Sequence, residues 1–280
     1  FAVARFARLY PLHMLTLLVV TVLQLISLQT IGHWQVFANN DLWHFVLQIF
    51  LLDHSLNLSE GLSFNGPIWS VSAEILVYAI FFVTLPLTKQ RPLAASILIS
   101  LAAFVFLTVR PESFVISHWA FVCAVFFFAG SACFALFRAL GGNGAKLLLV
   151  IACLAAIAWI ALRFGHSNLM LLALCCCMIL TLAALETLKA GTARALRFLG
   201  DISFSIYLVH IPIQISVLII ADVVFDGDRS FAYGYLTLPL FLAGSIFVAH
   251  LTNRYFEKPA AQWLRRRIGS RAKRRYPSAP

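Results

Sequence analysis

HWAFVCAVFFFAGSACFALF, residues 118–137, is a run of twenty residues whose only ionisable side chains are the leading histidine and two cysteines. As a helix rising 1.5 Å per residue it is about 30 Å long, the thickness of a bilayer's hydrocarbon core. The same kind of stretch recurs at 12–28, 68–87, 93–109, 146–162, 169–186, 203–221 and 232–251, which makes eight candidate spans. The composition agrees. Of 280 residues, 61% are hydrophobic and only 11% charged, with 25 Phe and 6 Trp, and the mean hydropathy is +0.91. A soluble domain is roughly half apolar and about a quarter charged. A cytosolic enzyme, a disordered chain and a small disulfide scaffold are therefore excluded. Segment 44–58 is a ninth apolar stretch, shorter and interrupted by Asp53 and His54, and reads as interfacial or partly inserted.

The net charge of +10 is informative through its placement. With the N-terminus in the cytoplasm, Arg5, Arg8, Lys89, Arg91, Arg138, Lys146, Lys189, Arg194, Arg197 and the nine basic residues from Arg254 onward fall inside. Only Arg110, Arg163 and Arg229 fall outside. This bias sets orientation, and it predicts eight spans with both ends cytoplasmic. Residues 1–259 then form one polytopic membrane domain and 260–280 a basic cytoplasmic tail. The tail's LRRRIGSRAKRR run reads as a stop signal attracted to anionic lipid. Nothing in it interleaves aromatics in the manner of a nucleic-acid reader, so no nucleic-acid partner is expected. The six cysteines sit in apolar runs without metal spacing and read as small core residues, and no metal site is expected. Asp222, Asp226, Asp228 and Arg229 read as a solvated polar loop.

Polar groups at membrane depth are costly and mark function. Two clusters stand out. In Asn65-Gly66-Pro67-Ile68-Trp69-Ser70-Val71-Ser72-Ala73-Glu74 the chain breaks and a helix starts at Pro67. Ser70, Glu74 and Tyr78 follow at spacings of four and share one face. Glu74 reads as a proton-handling or positioning carboxylate. In the second cluster, Ser203, Tyr207, His210 and Gln214 fall within about 60° of one another at 100° per residue, a polar stripe with Pro212 as a kink.

Four strings occur in order along the chain: Arg5-x-x-Arg8-x-x-Pro11, Asn65-Gly66-Pro67-x-Trp69-Ser70-x-Ser72-x-Glu74, Ser203 to Tyr207-Leu208-x-His210-x-Pro212, and Tyr255-Phe256-Glu257-Lys258-Pro259. Together they resemble acyltransferase family 3, the integral membrane O-acyltransferases, over essentially all of 1–260. The resemblance implies an all-α integral membrane protein of about ten helices when complete, with eight transmembrane helices in this chain. It implies transfer of an acyl group, acetyl foremost, from acyl-CoA to a hydroxyl of a cell-envelope or exported carbohydrate or glycolipid, in a bacterial inner membrane. Acyl-CoA is then a donor substrate, and no cofactor is bound permanently. The family's Arg-to-His motif on its first helix and its Ser-Gly-Phe-like motif on its second do not occur in this sequence. An N-terminally incomplete chain is the expectation, with a truncated inactive homologue as the alternative.

Acyl transfer to an alcohol needs a base and oxyanion donors. The expected catalytic residues are Glu74 and His210. Arg5 and Arg8 are expected to meet the anionic donor, and Trp69, Ser70, Tyr78, Ser203 and Tyr207 to line the substrate site. The competing class is a proton-coupled secondary transporter, which would also use a broken helix and buried Glu and His.

Overall fold

The computed structural model describes residues 2–52, 55–109, 114–163, 168–188 and 194–275. Asp53, His54, Arg110 and Lys189, named above, lie outside the described residues. The chain forms ten α-helices among those residues: α1 Ala2–Thr30, α2 Leu42–Ile49, α3 Ile68–Gln90, α4 Pro92–Val109, α5 His118–Ala139, α6 Asn143–Arg163, α7 Asn168–Leu188, α8 Arg194–Val224, α9 Thr237–Thr252 and α10 Lys258–Arg275. Among the described residues the β-structure consists of one antiparallel bridge, Leu56 to Ile116.

Seven of the eight predicted apolar spans lie within helix throughout, and the eighth does so from Thr237 onward. Among the described residues six helices, within α1, α3, α4, α5, α7 and α8, are long and apolar enough to cross a membrane. The apolar part of α6 covers Asn143–Ile157, and α9 has 16 residues. The span expected at 232–251 begins later than its hydropathy suggests. Ser230–Tyr233 is a single 3-10 turn, closed by the Gly234 amide on the Phe231 carbonyl at 3.0 Å. The Thr237 hydroxyl donates to the same carbonyl, and the helix starts there, with Pro239 tolerated in its first turn.

Segment 44–58 contains one short helix. Asp41 caps α2 by accepting from the His44 amide at 2.9 Å. That hydrogen bond, with the His44 imidazole behind it, holds the Asp41 carboxyl below its usual range. The helix ends where Leu51 turns left-handed at φ 58°. The tail is helical through Arg275, because α9 runs through a π-turn at Asn253–Glu257 straight into α10.

The described residues divide into two compact units. The first takes those of Phe1–Asp53, Ser59–Trp69 and Phe198–Pro280; the second takes those of His54–Leu58 and Ser70–Arg197. In the first, Leu17 and Val20 of α1 pack with Phe64, Ile211 and Ile215. These positions recur at three- and four-residue steps, the signature of one buried helix face. Helix α10 packs along α1. The acids of the polar loop are used locally: Asp222 pairs with Arg229 at 2.9 Å and accepts from Gln35 at 2.7 Å, and Asp228 caps Ser230.

In the second unit α4 packs on α5, α6 on α7 and α5 on α7. Small residues let backbones approach, and hydroxyls bond across the seam. Ser96 meets Ser131 at 2.9 Å and Ser100 donates to the Val125 carbonyl at 3.0 Å. Val77, Ala124 and Phe128 form one core. Cys133, Cys153 and Leu180 form another, with Cys176 and Cys177 against it. The cysteines are free thiols.

Two glycines separate packing from propensity. A Cβ on Gly66 would stand 2.7 Å from Phe37 Cε2, whereas one on Gly130, inside α5, meets nothing within 4 Å. Gly66→Ala is expected to destabilise by about 1–3 kcal/mol through overpacking. Gly130→Ala should be neutral or stabilising by up to about 1 kcal/mol. Thermal unfolding of the detergent-solubilised variants reads both.

Candidate functional site

The break at 65–67 is held by proline chemistry on α8. Pro212 sits inside α8 and has no N–H to give to the carbonyl four residues back. That carbonyl belongs to Leu208. The buried Asn65 amide supplies the missing donor, reaching Leu208 O at 3.3 Å and Thr16 Oγ1 at 2.9 Å. From the neighbouring position on α8, the Tyr207 hydroxyl donates to the Pro67 carbonyl at 2.6 Å. The two sequence clusters thus close on each other through a reciprocal pair of hydrogen bonds. His210, half-buried, lies beside Tyr207 with ring centroids 6.0 Å apart.

Nearby on α1, His13 is 1% exposed. Its Nε2–H donates to the Gln48 carbonyl at 2.8 Å. Gln48 is held in turn by Ser63, donating to its carbonyl at 2.6 Å and its hydroxyl at 3.0 Å. This lattice ties α1, α2 and segment 59–69 into one body.

The second polar centre surrounds Glu257, which is 3% exposed. Its Oε2 accepts from the Ser205 hydroxyl and from Asn253 Nδ2 at 3.0 Å. Its Oε1 stands 3.6 Å from Arg8 Nε. Asn253 also reaches the Asp201 carbonyl at 3.4 Å. The π-turn over Asn253–Glu257 is closed by the Lys258 amide on the Asn253 carbonyl. Pro259 lacks the amide that would close the next α-turn. Single-turn π-bulges of this kind are frequent at functional sites. A pocket of about 240 Å³ opens here, lined by Arg8, Asp201, Asn253, Glu257, Lys258 and Arg265 among others.

The remaining expected residues take up distinct places. Glu74 is half-buried and accepts from the Tyr78 hydroxyl one helical turn on. Ser70, Glu74 and Tyr78 belong to the second unit; Arg5, Arg8, Trp69, Ser203, Tyr207 and His210 belong to the first. Arg8 lines the pocket, and Arg5 is half-buried one turn earlier on α1. Ser203 is exposed and its hydroxyl donates to the Gly200 carbonyl at 2.9 Å. Trp69 and Ser70 are half-buried at the start of α3.

The polar stripe of α8 left out Ser205. The signal was present: Ser205 is in phase with Ile202, Leu208, Val209 and Pro212, all buried, so its hydroxyl had to find an interior partner. In the sequence Glu257 is only one residue of a motif string, because only the fold brings Arg8 and Ser205 to it. Gln48 and His13 carried no sequence pattern at all.

The Pro212–Asn65 arrangement predicts a compensation. Asn65→Ala leaves the Leu208 carbonyl without its donor and should cost about 1–3 kcal/mol. Pro212→Ala in that background restores a backbone amide at position 212 and should return a measurable part of the loss. Unfolding midpoints of the two single variants and the double variant read the compensation.

Comparison with family models matches residues 1–249 to the family described as acyltransferase domain. No curated protein and no solved structure matches. The match spans both motif clusters and most of the helices described above, so the chain belongs to acyltransferase family 3 and is a multi-pass membrane protein of the transferase class.

Proposed function

We propose that the chain moves an acyl group, acetyl foremost, from acyl-CoA to a hydroxyl of a cell-envelope or exported carbohydrate, crossing a bacterial inner membrane eight times with both ends cytoplasmic. The observation that carries this reading is the pocket holding Arg8, Lys258 and Arg265. Its lining holds three cations against the two carboxylates of Asp201 and Glu257, and cations beside hydrogen-bonding side chains suit the phosphates of coenzyme A, which demand charge and directed donors together. Arg8, Lys258 and Arg265 of its lining are among the basic residues that the positive-inside rule assigns to the cytoplasm, where acyl-CoA is made.

In the reaction the acceptor hydroxyl oxygen attacks the thioester carbonyl carbon. The carbon–sulfur bond breaks, and the coenzyme A sulfur leaves and takes up the proton that the hydroxyl gave away. We assign proton handling to Glu74 and His210. Tyr78 donates to Glu74 and so orients its carboxylate. Trp69, Ser70, Ser203 and Tyr207 are assigned to the substrate path, Tyr207 by bracing the Pro67 carbonyl. Acyl-CoA acts as a second substrate, and the chain needs no resident cofactor in this scheme.

Two measurements test the reading. Labelled acetyl-CoA should bind the purified protein saturably. A proton-coupled carrier has no reason to bind it, so a flat binding curve would favour that class. In cells expressing the gene, Glu74→Gln should lower base-releasable acetate on exported polysaccharide by about 100-fold, the scale of a lost general base. Unchanged O-acetylation would remove Glu74 from the chemistry.

A further inference from the structure

We propose that Glu257 is a positioning residue: a buried carboxylate whose task is to hold Arg8 toward an anionic donor. The inference rests on the reading of this pocket as the acyl-CoA site. A carboxylate taken out of water is strongly unfavourable unless it is paired and hydrogen-bonded. Glu257 is 3% exposed, and the protein surrounds it with the Ser205 hydroxyl, the Asn253 amide and the Arg8 guanidinium. If the interior needed only a neutral fill at this point, a hydrophobic residue would serve at lower cost.

The pair is asymmetric. The Glu257 side chain is 4% exposed while that of Arg8 is 40% exposed, so the anion is sealed and the cation remains accessible to solvent. The pair's closest approach is through Nε, at 3.6 Å. A guanidinium also carries two terminal nitrogens, which form a fork on a phosphate. A long, flexible arginine anchored at Nε loses less freedom when the phosphate arrives, which is how preorganisation improves affinity. The π-turn completes the device: Asn253 and Glu257, its first and last residues, meet through the 3.0 Å amide–carboxylate hydrogen bond.

The test is a double-mutant cycle read by the dissociation constant of labelled acetyl-CoA on the full chain in detergent or nanodiscs. Glu257→Gln keeps the shape and an acceptor for Ser205 or Asn253, and removes the charge facing Arg8. It is expected to weaken binding about tenfold, and Glu257→Asp should recover most of that loss. Arg8→Ala should weaken binding by at least as much. The decisive point is non-additivity: adding Glu257→Gln to Arg8→Ala should cost nothing further, because the residue acts through Arg8. A residue that only supports the fold would add its full loss in both backgrounds. Wild-type affinity in Glu257→Gln, or additive losses in the double variant, overturns the proposal. Should Glu257→Gln fail to yield a monodisperse protein, Ser205→Ala keeps the charge and removes one of its supports. Its expected threefold loss should vanish in the Arg8→Ala background, and additivity there overturns the proposal equally. A wild-type chain that binds no acetyl-CoA overturns the acyltransferase reading of the pocket along with this inference. Binding that is unaffected by Glu257 overturns the inference alone.

Discussion

A proline in the middle of a membrane helix leaves a carbonyl that nothing in its own helix can reach, and the first unit of this protein is organised around that fact. Pro212 frees the Leu208 carbonyl, and an unpaired backbone carbonyl is costly at membrane depth. Asn65 does so from a different part of the chain. Because the same amide also binds Thr16, one side chain joins α1, the 59–69 segment and α8. Tyr207 returns the tie to Pro67. The break before α3 and the proline in α8 are therefore one feature, each making the other tolerable.

The Glu257 centre applies the same rule to a charge. A buried carboxylate needs partners, and α1, α8 and the α9–α10 turn each bring one: Arg8, Ser205 and Asn253. Here the arrangement also leaves cationic surface facing a cavity. Polar groups in this unit thus divide by physical role. Asn65, Gln48 and Tyr207 each donate to a backbone carbonyl and hold the scaffold. Arg8, Lys258 and Arg265 line an opening. The first group fixes where the second stands.

Much of the fold was legible in the sequence. Apolar length sufficed to place seven of the eight predicted segments wholly in helix and most of the eighth, since a bilayer-length run without charges has few other outcomes. It misjudged the start of α9, where aromatic and apolar residues at 231–236 form a turn, and it saw segment 44–58 only as apolar without showing the Asp41 cap that makes it a short helix. The site was legible in part. The motif strings carried Asn65, Tyr207 and Pro212, but not that the first satisfies the carbonyl freed by the third. The helical wheel of α8 selected Ser203, whose hydroxyl bonds its own helix, and passed over Ser205, because a stripe of polar residues draws attention away from one polar residue on an apolar face. Glu257 lies 249 positions from Arg8 in the chain, and no local pattern can show a pairing over that separation.

We propose that Arg8, held by Glu257, meets the anionic end of an acyl donor. A cryo-electron microscopy map of the chain with a non-hydrolysable acetyl-CoA analogue tests this. Phosphate density is expected within hydrogen-bonding distance of the Arg8 guanidinium, bordered by Lys258 and Arg265, with the Glu257–Arg8 pair intact. Analogue density at another location, with the Arg8 pocket filled only by solvent, would contradict it.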